Sequence, residues 1–471
     1  MTISPRPLHE LVSVRARYSR SVHLARDWKS GVWADYHLTL SALEMLRVLQ
    51  GTWNRPADRA LTLVGPYGSG KSAFALFLAA LFGGDAPSHA LLRAHDADLA
   101  DFFARPQNRL FPVALVGSRQ SLAPALGRGL VEALSAQFPD LAREIESELE
   151  AAHFAPRALA DAWEKAARGV VAAGFGGLML LGDELGKWLE HAALHPGEGD
   201  IFVLQELAEA AARSGNIETG GAPLWMVAVL HQNAEAYAGR LGRVHQAEWA
   251  KVGERFREVP FFPSDAERLE MTGWALQHAP DLHLNGQFET LAARGPLLVP
   301  QSLPGTLSAR FAPLAKAAYP LHPLVLLLLP PLFRKSGQSH RSLWNFLSGQ
   351  ESHALGRFLR ETTFGPHAPL FEADALFDYA SEVLLGGWSA GHLARLWADA
   401  SEAVERTHSL SPLALRVLKV IALLGVLRDA HLVASPAILE WALSDWNGRS
   451  VTRAARRPIS RPLWTNCSNA N

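Results

Sequence analysis

The apolar positions of the chain follow two patterns. Between residues 60 and 262, short apolar runs alternate with longer stretches of helical periodicity, as expected for a parallel sheet covered on both faces. Strands are predicted at Leu61–Val64, Phe111–Val116, Gly177–Leu181 and Pro223–Leu230, with a short last one at Arg257–Phe262. The stretch Leu122–Val171, rich in Ala, Leu and Glu, predicts extra helices between the second and third strands, and Phe202–Ala212 predicts a helix before the fourth. Past residue 263 the strand signal fades. Helical sequence runs to about Leu347, broken by Pro296, Pro300, Pro304 and the pair Pro330 and Pro331. From Glu351 to Trp446 the chain is again helical, and Leu410–Asp445 reads as two apolar-periodic helices around a turn. That pattern fits a winged-helix unit and equally a small helical bundle. After Trp446, five arginines (449, 453, 456, 457 and 461) stand without an acidic residue or a period, which predicts a solvated tail.

The expected organisation is therefore α/β: a segment at 1–50, a nucleotide-binding core at 51–263 with a helical insertion at about 121–171, a helical lid at 264–350, a helical region at 351–446 and a tail at 447–471. The order strand, glycine-rich loop, apolar helix is what identifies the core. Residues Gly65, Pro66, Tyr67, Gly68, Ser69, Gly70, Lys71 and Ser72 spell a phosphate-binding loop directly after the first strand. Glycines at 65, 68 and 70 are expected to let the backbone curl so that successive N–H groups point at phosphate. Lys71 adds a point charge, Ser72 a hydroxyl for Mg²⁺, and the helix that follows presents its positive end to the anion. The bland alternative is a glycine-rich turn before an ordinary helix.

Other polar groups fall at the ends of predicted strands. Asp183 and Glu184 end the third, where Asp183 would hold Mg²⁺ and Glu184 would polarise the attacking water, unless the two simply cap a helix. His231, Gln232 and Asn233 end the fourth; Gln232 is the residue favoured to meet the γ-phosphate or the water, and His231 lacks the companions a metal ligand needs. Arg255, just before the last strand, suits contact with a neighbouring subunit's phosphate or a solvated helix end. Arg341 suits a lid residue reaching phosphate, or a surface position.

Composition narrows the setting. With 45 basic and 46 acidic side chains the formal charge is −1, so no bulk electrostatic drive toward nucleic acid or anionic membrane exists. A DNA contact would have to be a local patch. Cys467 is the one cysteine, which excludes an internal disulfide framework and a cysteine-based zinc site and fits a reducing cytosol. The N-terminal residues lack a signal-peptide core, and Leu324–Phe333 is too short to span a bilayer, so a soluble cytoplasmic protein is expected.

With these motifs assembled, the chain up to about Gln350 resembles an AAA+ ATPase of the origin-recognition and signalling-NTPase branches. GPYGSGKS, LMLLGDELGK, the His231–Asn233 cluster and ERFREVPF correspond to Walker A, Walker B, sensor 1 and the arginine-finger segment. The resemblance implies ATP and Mg²⁺ as ligands, ATP hydrolysis, a sheet order of 5-1-4-3-2, nucleotide between core and lid, and Tyr36–Thr39 near adenine. Four phrases, RARYSRSVHLARDW, DELGKWLEHAALHP, FVLQELAEAAARSG and VLLLLPPLFRKSGQSHRSLWNFL, are similar to large bacterial ATPases of phage-resistance systems, including the BREX type. That likeness implies a homo-oligomer or larger defence complex, with a remodelled protein or DNA partner. A slowly hydrolysing ATP-gated switch or scaffold is the alternative, and a DNA-binding regulator ranks below both. The chain departs from the AAA+ pattern in its wide interval between Lys71 and Asp183 and in a lid arginine outside any clear motif.

Overall fold

The computed structural model describes residues 6–15, 22–27, 36–66, 68–195, 200–232, 234–237, 243–284, 286–303, 305–335, 343–364, 369–384, 392–407, 410–429 and 431–444. Tyr67, Asn233, Arg341 and the arginine-bearing tail lie outside them. The chain divides into two compact units, residues 21–263 and residues 264–471 together with 1–20.

The first unit is built on a five-stranded, all-parallel sheet. Its strands are β1 (Ala60–Val64), β2 (Leu110–Val116), β3 (Gly177–Asp183), β4 (Leu224–Leu230) and β5 (Arg257–Pro260). They lie in the order β5-β1-β4-β3-β2, the order the resemblance implies. Every residue of β1, β3 and β4 is buried. Because side chains alternate across a strand, each strand supplies two cores. Leu178 and Leu180 of β3 and Leu224 and Met226 of β4 face one core, and Met179, Leu181, Trp225 and Val227 face the other.

The second of those cores is closed by α1 (Leu40–Thr52) and α2 (Lys71–Gly83). Trp53, at the end of α1, packs on Trp225 with ring centroids 4.7 Å apart. The first core is closed by α3 (Leu122–Ser135), α4 (Pro139–Ala151), α5 (Pro156–Ala172), α6 (Leu185–Leu194) and α7 (Asp200–Arg213), with Trp249 and Val252 from α8 (Arg243–Gly253). Helices α3 to α5 occupy the stretch read from sequence as a helical insertion. They are integral to the fold: Trp163 of α5 is fully buried in the same cluster as Val113, Leu178 and Leu180.

Among the described residues, the second unit has one hydrophobic cluster, which runs from Leu8 to Leu443. It contains α9 (Asp265–Ala275), started by a capping box between Ser264 and Glu267, α10 (Gly286–Leu298), α11 (Gly305–Ala317), α12 (Pro323–Lys335), α13 (Pro412–Leu427) and α14 (Pro436–Ala442) among its helices. Residues expected in a lid and residues expected in a separate C-terminal region thus share one core. The first residues of the chain join it too, since Val12–Val14 pairs antiparallel with Leu276–His278, and Arg6–Pro7 with Thr363–Phe364. The segment 1–50 is therefore split, with 6–15 in the second unit and 22–27 and 36–50 in the first.

One sequence expectation is corrected here. Pro296, Pro330 and Pro331 do not break helices but sit inside α10 and α12. Each proline removes one backbone donor, and in α12 ten consecutive residues from Pro323 to Leu332 are buried, so packing outweighs the loss. In the C-terminal region, the second of the two helices that were read as either a winged-helix unit or a small bundle packs into the core. Helix α14 buries Ile438, Leu439, Trp441 and Ala442, and Trp441 Nε1 donates to the Leu291 carbonyl at 2.9 Å. Its exposed positions are Pro436 and Ala437, which carry no side-chain donor or acceptor for a base edge.

If the α3–α5 insertion is part of the sheet's own core, Trp163→Ala should cost about 3–5 kcal/mol. Urea unfolding should show that loss in the same cooperative transition that reports on the sheet. A separate, early transition would show instead that the insertion folds by itself.

Candidate nucleotide site

The strands of the first unit end along one edge, and the polar residues gather there. Val64 is level with Leu230, and Val116 with Asp183. The loop after β1, the end of β3 and the end of β4 therefore meet where parallel sheets bind ligands.

Gly68 and Gly70 take left-handed backbone angles, φ 75° and 89°, so there the loop needs glycine for its curl. Gly65 is required for a different reason from the one expected. It does not adopt a left-handed angle; instead a Cβ on it would stand 2.3 Å from the Phe261 carbonyl oxygen at the end of β5. Lys71, 3% exposed, is the first residue of α2. Its ammonium donates to the carbonyls of Gly65 (2.6 Å) and Pro66 (2.7 Å) and to Ser69 Oγ (3.2 Å). All three N–H donors are thereby used within the loop. Burial brings its pKa down to about 8, with Asp183 opposing the shift.

Ser72 Oγ donates to Asp183 Oδ1 at 3.1 Å, and the same oxygen accepts the Glu184 N–H at 2.9 Å. Asp183 is 2% exposed. Burial raises its pKa, and the two hydrogen bonds work against that rise. The two residues assigned to Mg²⁺, distant in sequence, are thus in direct contact. A carboxylate beside a hydroxyl is an all-oxygen donor pair, which suits a hard divalent cation.

Glu184 sits at the start of α6 in the left-handed region, φ 53° and ψ 37°, a conformation that costs a non-glycine residue on the order of 1 kcal/mol. Its carboxylate is ion-paired with Lys187, one turn along α6. Its carbonyl presses on Gly117, whose N–H donates to Asp183 O at 2.8 Å. A Cβ on Gly117 would lie 2.1 Å from that Glu184 oxygen. Sequence reasoning assigned no role to Gly117 or Lys187. Lys187 was visible in the GDELGK run as a basic residue three positions after Glu184, whereas Gly117 is revealed only by the pairing of β2 with β3.

Directly after β4, His231 is coupled electrostatically to the loop lysine. Its pKa falls to about 4, first through burial and then through the charges of Lys71 and Lys187, which leaves a neutral imidazole near the loop at pH 7. Gln232 is half-buried beside it. Tyr36 stacks on Phe77 of α2 with centroids 5.2 Å apart, and Thr39 caps α1 through the Ala42 N–H.

Arg255 is not part of this group. Arg257 is level with Leu61 and Pro260 with Val64, so Arg255 precedes the edge of the sheet opposite the loop. It is half exposed and paired with Glu209 at 3.4 Å. Arg341 falls outside the described residues. Among the described residues no group of three or more His, Cys, Asp or Glu side chains has the arrangement of a metal site. No single described helix is long and apolar enough to cross a membrane.

Compared with models of known protein families and with curated proteins, the chain matches none.

Gly117→Ala should destabilise the first unit by about 1–3 kcal/mol, because the new methyl meets backbone rather than a movable side chain. Gly51→Ala, in α1 with nothing within 4 Å of its would-be Cβ, should do the reverse by about 0.5–1 kcal/mol. Chemical denaturation of both variants checks the pair.

Proposed function

We propose that this chain binds magnesium nucleoside triphosphate, ATP by its resemblance, on residues 65–72 and hydrolyses it as an AAA+-like P-loop ATPase. The observation that carries the reading is the contact between Ser72 and Asp183 beside buried Lys71, at the carboxyl edge of a sheet ordered 5-1-4-3-2. A helix terminus, a buried cation and an oxygen pair converging there answer the three demands of a triphosphate: backbone donors, charge and metal ligands.

Each residue then has a task. The Lys71 ammonium exchanges its bonds to the Gly65 and Pro66 carbonyls for phosphate oxygens. Ser72 and Asp183 would hold the metal ion, which supplies neutralisation of phosphate charge when bound. Glu184 orients the attacking water and takes its proton, for which its carboxylate must leave Lys187. His231, neutral, offers a ring N–H toward the loop. Arg255, away from its own loop, would serve the site of a neighbouring copy in a homo-oligomer or larger complex. The work driven by hydrolysis is remodelling of a protein or DNA partner, by resemblance in bacterial antiviral defence in the cytoplasm.

Lys71→Ala should abolish nucleotide binding. With ATP and Mg²⁺ at ~100 times the dissociation constant, the wild type should gain about 2.7 kcal/mol of stability, and the variant none; an equal thermal shift in both would overturn the site. Glu184→Gln should bind ATP with Mg²⁺ but not turn it over, since the amide keeps the shape and loses the base. Hydrolysis at the wild-type rate would reassign the base. Arg255→Ala should keep ATP binding and lose on the order of 10³ in turnover, with partial rescue on mixing with Lys71→Ala protein. A wild-type rate independent of protein concentration, with no rescue, would remove Arg255 from the mechanism.

A further inference from the structure

Between the sheet and helices α6, α7 and α8, within the first unit, lies a cavity of about 220 Å³ with Leu189, Ile201, Leu204, Val252 and Phe256 among its walls. Folded interiors are packed like organic crystals, with few voids larger than a water molecule. An apolar cavity of about 150 Å³ already accepts benzene. None of these side chains takes part in the nucleotide chemistry.

Two further wall residues connect the cavity to that chemistry. Leu185 directly follows Glu184, and Leu230 directly precedes His231. The wall therefore includes the first turn of α6 and the end of β4, the two elements that set where the catalytic carboxylate and the imidazole stand.

The remaining lining is Thr62, Gly253 and two carboxylates. Glu254 and Glu258 are both exposed, and neither is in an ion pair with any described residue. The arginines next to them in sequence are engaged elsewhere, Arg255 with Glu209 and Arg257 with Asp58. An apolar chamber with two uncompensated carboxylates selects an apolar body that carries positive charge.

We infer that this cavity is an effector site for a small amine bearing one ring or a branched alkyl group. The apolar part replaces empty space beside Leu189 and Leu204, and the ammonium faces Glu254 and Glu258. Filling the chamber holds α6 and the end of β4 in one arrangement, and so couples to ATP. That coupling rests on the nucleotide assignment above; binding of the amine does not.

Calorimetric titration of the full chain without nucleotide tests the site, with 2-phenylethylamine, ethylbenzene and 3-phenylpropionate as probes. The amine should bind most tightly, ethylbenzene more weakly and the carboxylate least. Glu254→Gln combined with Glu258→Gln changes exposed side chains, so the fold is retained; it should weaken the amine about threefold to tenfold and leave ethylbenzene unchanged. Leu204→Trp should fill the chamber and remove both. No binding by the amine, or equal binding of amine and carboxylate, overturns the site. Saturating amine should then shift ATP affinity by about fivefold or more. Bound amine with unchanged ATP affinity would sink the effector role, whereas a wild-type chain that binds no ATP at all would overturn the nucleotide assignment and leave the amine titration readable.

Discussion

A sheet buried on both faces leaves its polar residues few places to stand. In β1, β3 and β4 every residue is buried and the apolar side chains enter one of two cores, and an unpaired polar group there would cost several kcal/mol. Chemistry is thereby confined to the points where strands end. Asp183 is the last residue of its strand, and the loop and His231 directly follow theirs. The cores do not merely support the site; they determine which residues can belong to it.

At that edge the main expense is charge. Lys71 and Asp183 are both nearly inaccessible, and burial pushes both toward neutrality, the lysine pKa down to about 8 and the carboxyl upward. Each is held by hydrogen bonds rather than by an ion pair with the other. The lysine borrows carbonyls from its own loop, and the aspartate takes the Ser72 hydroxyl and the Glu184 N–H. Every hydrogen-bond partner in the arrangement is an uncharged group, with no strong counter-ion among them.

Much of this was legible in the sequence, for local reasons. Four of the five strands announced themselves as apolar runs, and the loop as glycines at fixed spacing beside a lysine and a serine. What stayed hidden was non-local. Gly117 matters because β2 lies against β3, which brings a backbone oxygen onto it. Gly65 matters through Phe261, almost two hundred residues away. His231 is coupled to Lys71 only through the folded arrangement of the β1 and β4 ends, which no local pattern in the sequence reveals. The prolines of α12 misled for the opposite reason: local propensity against helix is real, but full burial of the surrounding leucines overrides it.

The strand at Val12–Val14 pairs with residues 276–278, and the one at Arg6–Pro7 with 363–364, while the whole first unit is encoded between them. During synthesis Val12–Val14 must therefore wait for its partner until about 260 further residues have been made, and Arg6–Pro7 until about 350 have. The middle of the chain can complete its cores first, since domains tend to fold as units while the chain is being made. The second unit can close only afterwards, by recruiting a segment that was among the first to be made. Its assembly is gated by chain completion, so a chain stopped after the first unit would have a finished sheet and a stranded N-terminal segment.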